Sequence, residues 1–256
     1  MSKLSNLSYA QKKHLIAMVR AKQTQSKWNA YYSRVRFTAA SLAADQYLLP
    51  AGGYVTAFSY GIGSPMNSAG LANVNATASD TNILTPSQTI SGEIVLVQGI
   101  SLMYLAQSDA NFLKQLDQSV SVKIKTNGTT EYKMGIPSML PACGGLFGSS
   151  EAWSVAPSLP DQLSRSVGVI TNGIPHSSNF YPLPEPMVWA SSGQGDSAFN
   201  VELKVEQPVA TIAQFSSVAR VAGAGVAPYT PPTAAQVWAD IMVVLIGCTV
   251  NPLSSY

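Results

Sequence analysis

Two histidines and two cysteines are the whole stock of imidazole ligands and thiols in this 256-residue chain. That bounds the chemistry it could do. His14 sits in a lysine-rich N-terminal stretch and His176 follows a proline; a histidine-based metal site needs several converging rings, which two cannot supply. A Cys–His nucleophile would require Cys143 or Cys248 to meet His176 in space, and a structural role for these residues is the simpler expectation. No G-x-S-x-G elbow, phosphate loop, glycine fingerprint ahead of a helix, or H-E-x-x-H pair is present. The thirteen carboxylates are scattered, so a glycosidase-like pair is the one hydrolytic reading left, and nothing marks any two as partners. Trp153, Trp189 and Tyr181 could line a sugar-binding cleft, although aromatics in a β-sandwich serve core and interface more often. The sequence therefore predicts a protein that is not an enzyme and needs no cofactor or metal.

Charge is more informative than catalytic inventory. Only 11% of residues are charged while 46% are hydrophobic, against a usual charged fraction of about a quarter, which predicts a surface covered largely by something other than water. The net charge of +2 hides a division: residues 1–44 carry eight basic residues and no acid, and the remaining seven basic and thirteen acidic residues leave the rest at −6. A basic arm on a mildly acidic body suits an arm that faces a polyanion; the plainer alternative is a solvated helix face. Lys12, Lys13, Arg20, Lys22, Lys27, Arg34 and Arg36 are the candidate contacts to nucleic acid or anionic lipid. Met1 to Val19 is polar and has no apolar signal-peptide core, and no apolar run is long enough to be a transmembrane helix. Synthesis in a cytoplasm is the expectation, with free buried thiols rather than a disulfide. The sequons at Asn75 and Asn127 carry little weight without export.

These groups must be positioned by the elements around them. Ser8-x-x-Gln11 resembles a capping box and opens a segment without Gly or Pro, which predicts a helix from Tyr9 to about Ser33. It could lie on a bilayer, touch nucleic acid, or dock onto its own body. From Arg34 to Tyr60 the pattern becomes β-like, and residues 61–89 read as a long surface excursion holding recurrent apolar residues such as Ile62, Met66, Leu71 and Ile83. Ile90 to Leu105 reads as a strand buried on both faces that changes sheet partway, with bulges at Gly92 and Gly99. A short helix at Ser108 to Leu116 follows. Val120, Val122 and Ile124 then alternate with polar residues up to Thr126-Asn127-Gly128. A two-residue Asn-Gly loop would set Ile124 opposite Glu131 and Val122 opposite Lys133. A three-residue loop instead pairs Ile124 with Thr130, Val122 with Tyr132 and Val120 with Met134, placing Lys123 opposite Glu131; this is the expected register.

Gly135 to Ser164 is expected to be irregular, Asn179 to Trp189 a proline-studded edge segment, and Ala198 to Gln207 a strand with Phe199, Val201, Leu203 and Val205 inward. Thr171-Asn172-Gly173 marks a turn, and Thr211 to Tyr229 a small-residue loop. Val237 to Val250, apolar on both faces apart from Asp240, reads as a long central strand. Eight to twelve strands with long loops predict an all-β fold: a jelly-roll sandwich with an N-terminal helix, divided into a basic arm at 1–34 and a body at 35–256.

This layout resembles the jelly-roll capsid proteins of tailless icosahedral viruses, particularly bacteriophages, including those with an internal membrane. The segments that carry the likeness are KKHLIAMVRAKQTQSKW, NGIPHSSNFYPLPEPMVW with FNVELKVE after it, and VWADIMVVLIGCTV. The resemblance implies a coat protein that self-assembles into an icosahedral shell within a virion. Its partners would be copies of itself in trimeric or higher capsomers, other capsid proteins, and nucleic acid or an anionic membrane reached by an inward arm. A double jelly roll, the alternative within the family, wants sixteen strands. Of a different class is a carbohydrate-binding or adhesive sandwich of a tail or spike, using Trp153 and the Tyr181–Trp189 stretch.

Overall fold

The strand with the strictest alternation sets the pattern for the rest. In the computed structural model, Phe199–Val205 buries Phe199, Val201, Leu203 and Val205 and turns Asn200, Glu202 and Lys204 outward, as period-two alternation requires. The structure describes residues 13, 16–17, 26–40, 47, 49–88, 94–105, 110–127, 129–140, 149–155, 163–169, 180–190, 198–209 and 238–250. Twelve strands fall within them: β1 Ser26–Thr38, β2 Tyr54–Ala57, β3 Pro65–Met66, β4 Leu71–Asn75, β5 Ile94–Tyr104, β6 Val120–Thr126, β7 Thr129–Met134, β8 Ser149–Val155, β9 Leu163–Val169, β10 Tyr181–Ala190, β11 Phe199–Val205 and β12 Trp238–Val250. The helix α1, Ala110–Ser119, joins β5 to β6.

Eight strands build two antiparallel four-stranded sheets, ordered β1-β12-β5-β10 and β2-β11-β6-β7. Taken in chain order, the first of the eight pairs with the eighth, the second with the seventh, the third with the sixth and the fourth with the fifth. This is one long hairpin rolled over on itself, the strand order of an eight-stranded jelly roll. The remaining four form two satellite hairpins: β3-β4 lies in the excursion between β2 and β5, and β8-β9 in the long connection between β7 and β10. Among the described residues there is one roll and no second.

The core lies between the sheets. Val35, Val97, Leu102, Ile241, Val243 and Leu245 from one sheet share a single cluster with Val55, Val122, Ile124, Val201 and Leu203 from the other. Trp189 of β10 stacks on Phe199 of β11 at 3.9 Å between ring centroids, joining the two layers, and its indole N–H donates to Thr126 Oγ1. Buried Phe112, Leu113 and Leu116 of α1 add to the same cluster. The Tyr104 hydroxyl at the end of β5 donates to Asp117, tying the helix to the sheet it follows.

Several expectations are corrected. The N-terminal segment is helical at Lys13, Ile16 and Ala17, but Ser26–Ser33 belongs to β1, not to the helix, so the body's sheet starts inside the expected arm. Tyr31, Ser33, Val35 and Phe37 all point inward; the inward serine hid the alternation before Arg34. Ser33 is buried because its hydroxyl accepts a bond from the Phe58 amide at 2.8 Å.

The β6–β7 hairpin adopts the two-residue loop that facing arguments disfavour, closing at Thr126 and Thr129 with Asn127 in the left-handed region. A bulge then inserts Glu131, so Ile124 meets Tyr132 and Val122 meets Met134. Lys123 lies opposite Lys133 rather than Glu131.

β5 stays in one sheet for its whole length. Its irregularity is a bulge at Gln98, beside the expected site at Gly99, where a Cβ would lie 2.1 Å from the Phe180 ring. The stretch expected to be irregular from Gly135 contains β8 and a 3-10 turn at Pro137–Met139. The Thr171–Gly173 turn and the 211–229 loop lie outside the described residues.

Candidate functional site: two unlike outer faces

A jelly roll presents its functional groups on outer faces, edges and end loops. The outer face of β2-β11-β6-β7 is a ladder of ion pairs. Glu202 accepts from Lys125 at 2.5 Å and lies 3.8 Å from Lys123; Glu206 lies 3.2 Å from Lys123 and 3.5 Å from Lys204 and accepts a 2.7 Å bond from Ser121. The Ser121 hydroxyl and Lys123 hold the Glu206 carboxyl down to about 2. The ladder explains why Lys123 tolerates Lys133 across the hairpin: its counter-ions come from β11. Lys123, Lys125 and Glu202 are half-buried, whereas Lys204 and Glu206 form the more open pair, which contributes little; the face as a whole is polar.

The outer face of β1-β12-β5-β10 is different. At one end it is apolar: Ile94, Leu96 and Cys248 are buried in a cluster of their own, with Ile16 of the N-terminal helix and Val188 of β10 packed against it. The N-terminal helix therefore docks onto its own body at Ile16, while Lys13 on the same helix and Lys27 at the start of β1 are exposed. Burial pushes the Cys248 thiol up, and it is free.

At the other end of β12, Asp240 is fully buried between two arginines. Arg36 donates to it through Nε at 2.6 Å and through a terminal nitrogen at 2.7 Å, and Arg34 donates at 2.5 Å. Arg34 also donates to Asp80 at 3.0 Å, and the Arg36 guanidinium lies over the Trp238 ring at 4.9 Å. Register explains the meeting: Arg36 pairs with Asp240 and Arg34 with Met242, so both arginines share the outer face with the aspartate. Burial lowers the Arg34 pKa, but the bonds to Asp240 and Asp80 outweigh it and the net shift is upward. Burial raises the Asp80 carboxyl, while Thr77 and Arg34 more than reverse that.

The candidate contacts therefore divide. Lys13 and Lys27 are exposed. Lys12, Arg20 and Lys22 lie outside the described residues. Arg34 and Arg36 have their guanidiniums committed to Asp240 and Asp80, which makes them pins of the fold. The signal in sequence was a single acid, Asp240, in a strand apolar on both faces: a buried carboxylate needs cations, and two arginines at i and i+2 of one strand supply them.

Of the other candidates, His14, His176 and Cys143 lie outside the described residues, as does the Trp153 side chain. Trp189 is buried in the core and cannot face a sugar, whereas Tyr181 is exposed. Among the described residues no His, Cys, Asp and Glu cluster could hold a metal ion, and no helix is long and apolar enough to cross a membrane. No family model, curated protein or solved structure matches this chain.

Proposed function

We propose that this chain is a structural capsid protein that self-assembles into an icosahedral shell. The observation that carries the reading is the eight-stranded jelly-roll order in a chain with only 11% charged residues. A body so sparsely charged is consistent with flanks covered by neighbouring copies. The N-terminal segment, with Lys12, Lys13, Arg20, Lys22 and Lys27, faces the genome or an internal membrane; Arg34 and Arg36 leave that set because their charges are neutralised within the fold. Contact through the arm is non-specific and salt-sensitive, as expected of lysines meeting phosphates. The adhesive reading loses one of its anchors with Trp189 in the core. Particle assembly after deletion of residues 1–25, with retention of nucleic acid and of anionic lipid read separately, tests the arm's role. Loss of both assembly and polyanion retention, or of retention alone, supports it, and full retention of both refutes it.

A further inference from the structure

The N-terminal helix has a seat on the body, and register shows what the seat is made of. Cys248 of β12 pairs with Leu96 of β5, and Leu96 pairs with Val188 of β10. Three apolar side chains therefore form a row across neighbouring strands, and Ile94 continues it along the same face of β5. Ile94, Leu96 and Cys248 are at most 2% exposed, with Ile16 packed on them, whereas Lys13 and Ala17 of the same helix are exposed. Cys248 also pairs with Trp28, and Thr249 with Lys27, so β1 begins beside the seat and the exposed Lys27 lies at the same end of the sheet. Lys12 adjoins Lys13, and Arg20 and Lys22 fall in the short segment between Ala17 and Ser26, both of whose ends are held there.

We propose that the arm works docked: with Ile16 in its seat, it presents its cations to the phosphodiester backbone of nucleic acid, and the end of the β1-β12-β5-β10 sheet that carries it is the surface turned toward that partner. This rests on the basic arm facing a polyanion, and it narrows the polyanion to one class. A helix lying in a bilayer surface must bury its apolar side at the acyl boundary. Here that would lift Ile16 from the body and uncover Ile94, Leu96 and Cys248. Phosphates ask only for cations, which the docked helix shows at Lys13. On the other sheet Lys123, Lys125 and Lys204 are paired with Glu202 and Glu206, so that face offers phosphates little.

Cys248 reports the docking, because Ile16 packs on the row that holds it. In full-length Cys143→Ser protein its alkylation rate is measured alone, with a single-stranded oligonucleotide and with phosphatidylglycerol vesicles; Ile16→Ala in the same background gives the rate of the opened seat. The expected oligonucleotide binding weakens roughly a hundredfold between about 50 and 200 mM salt, the loss for phosphate contacts from Lys12, Lys13, Arg20, Lys22 and Lys27 to a single strand. The thiol should react no faster in that complex than in the protein alone, and the vesicles should bind more weakly than the oligonucleotide. A thiol that reacts in the complex at the Ile16→Ala rate overturns the proposal, because the helix has then left its seat to bind. Equal rates for Ile16→Ala and its parent overturn it too, since there is then no seat. Tighter binding of vesicles than of the oligonucleotide overturns it in favour of a membrane. Absence of binding to either polyanion removes the polyanion-facing arm itself, whereas binding with an opened seat removes only the docked mode.

Discussion

Replacing Asp240 with asparagine keeps the shape of the buried acid on the outer face of β12 and removes its charge, leaving Arg36 with one weak acceptor and Arg34 with Asp80 as its remaining counter-ion. Removing one partner of a buried pair costs about 3–5 kcal/mol. The Arg34 and Arg36 side chains retain 22% and 21% exposure, so water recovers part of their solvation and the lower end, about 3 kcal/mol, applies. For a chain of this size each kcal/mol moves the midpoint of thermal unfolding by about 2–4 °C, which places the variant roughly 6–12 °C below wild type. Urea unfolding followed by tryptophan fluorescence, at one fixed protein concentration because assembly adds apparent stability, gives the free energy directly. A Lys204→Gln control on the ion-pair ladder leaves the urea midpoint nearly unchanged. A loss under about 1 kcal/mol for Asp240→Asn would put the cluster among ordinary surface pairs. The claim that it pins β1 to β12 would then be wrong.

Acidification bears on Asp80. Its native pKa is below the ordinary aspartate value of 3.8, so the unfolded chain binds the proton more readily; the stability Asp80 contributes is full above 3.8 and drains as pH falls through its lower native value. Asp80→Asn should flatten that part of the urea midpoint against pH, and an unchanged slope would remove Asp80 from the account. In a Cys143→Ser background, Cys248 should alkylate slowly in the native protein and faster once Ile16 is changed to Ala, because Ile16 packs on the cluster that buries it; equal rates would mean the helix does not cover the thiol. Gly70→Ala should cost more than about 1 kcal/mol in urea unfolding, since Gly70 has φ 84° and no room for a Cβ against the Arg36 carbonyl. A neutral result would contradict the close approach.

Strands with one strict facing pattern were legible in the sequence: β11 from Phe199 to Val205, β12 as the doubly buried central strand, and β10 as the proline-bearing edge. What failed did so for physical reasons visible at particular residues. The first part of β1, Ser26 to Ser33, read as helix because it has no Gly or Pro and carries a serine inward, and only the partner of Ser33, the Phe58 amide, makes sense of that arrangement. The β6–β7 register depended on one bulge residue, Glu131, which shifts every facing argument after it and leaves no mark in composition. Both arginines looked like free cations because their neutralising acids are more than forty and two hundred residues away in the chain. The role of Asn82 was equally hidden: it lies in a Gly, Ser, Asn and Thr-rich excursion where nothing local distinguishes a side-chain amide bonded to the β1 backbone at Ala30 and Tyr32 from one that faces water.

The most direct test is multi-angle light scattering with electron microscopy of the purified full-length chain across a range of concentrations. A shell protein gives large, closed particles of uniform diameter. A 27.0 kDa species that stays monomeric at high concentration, with its flanks open to solvent, would contradict the capsid reading.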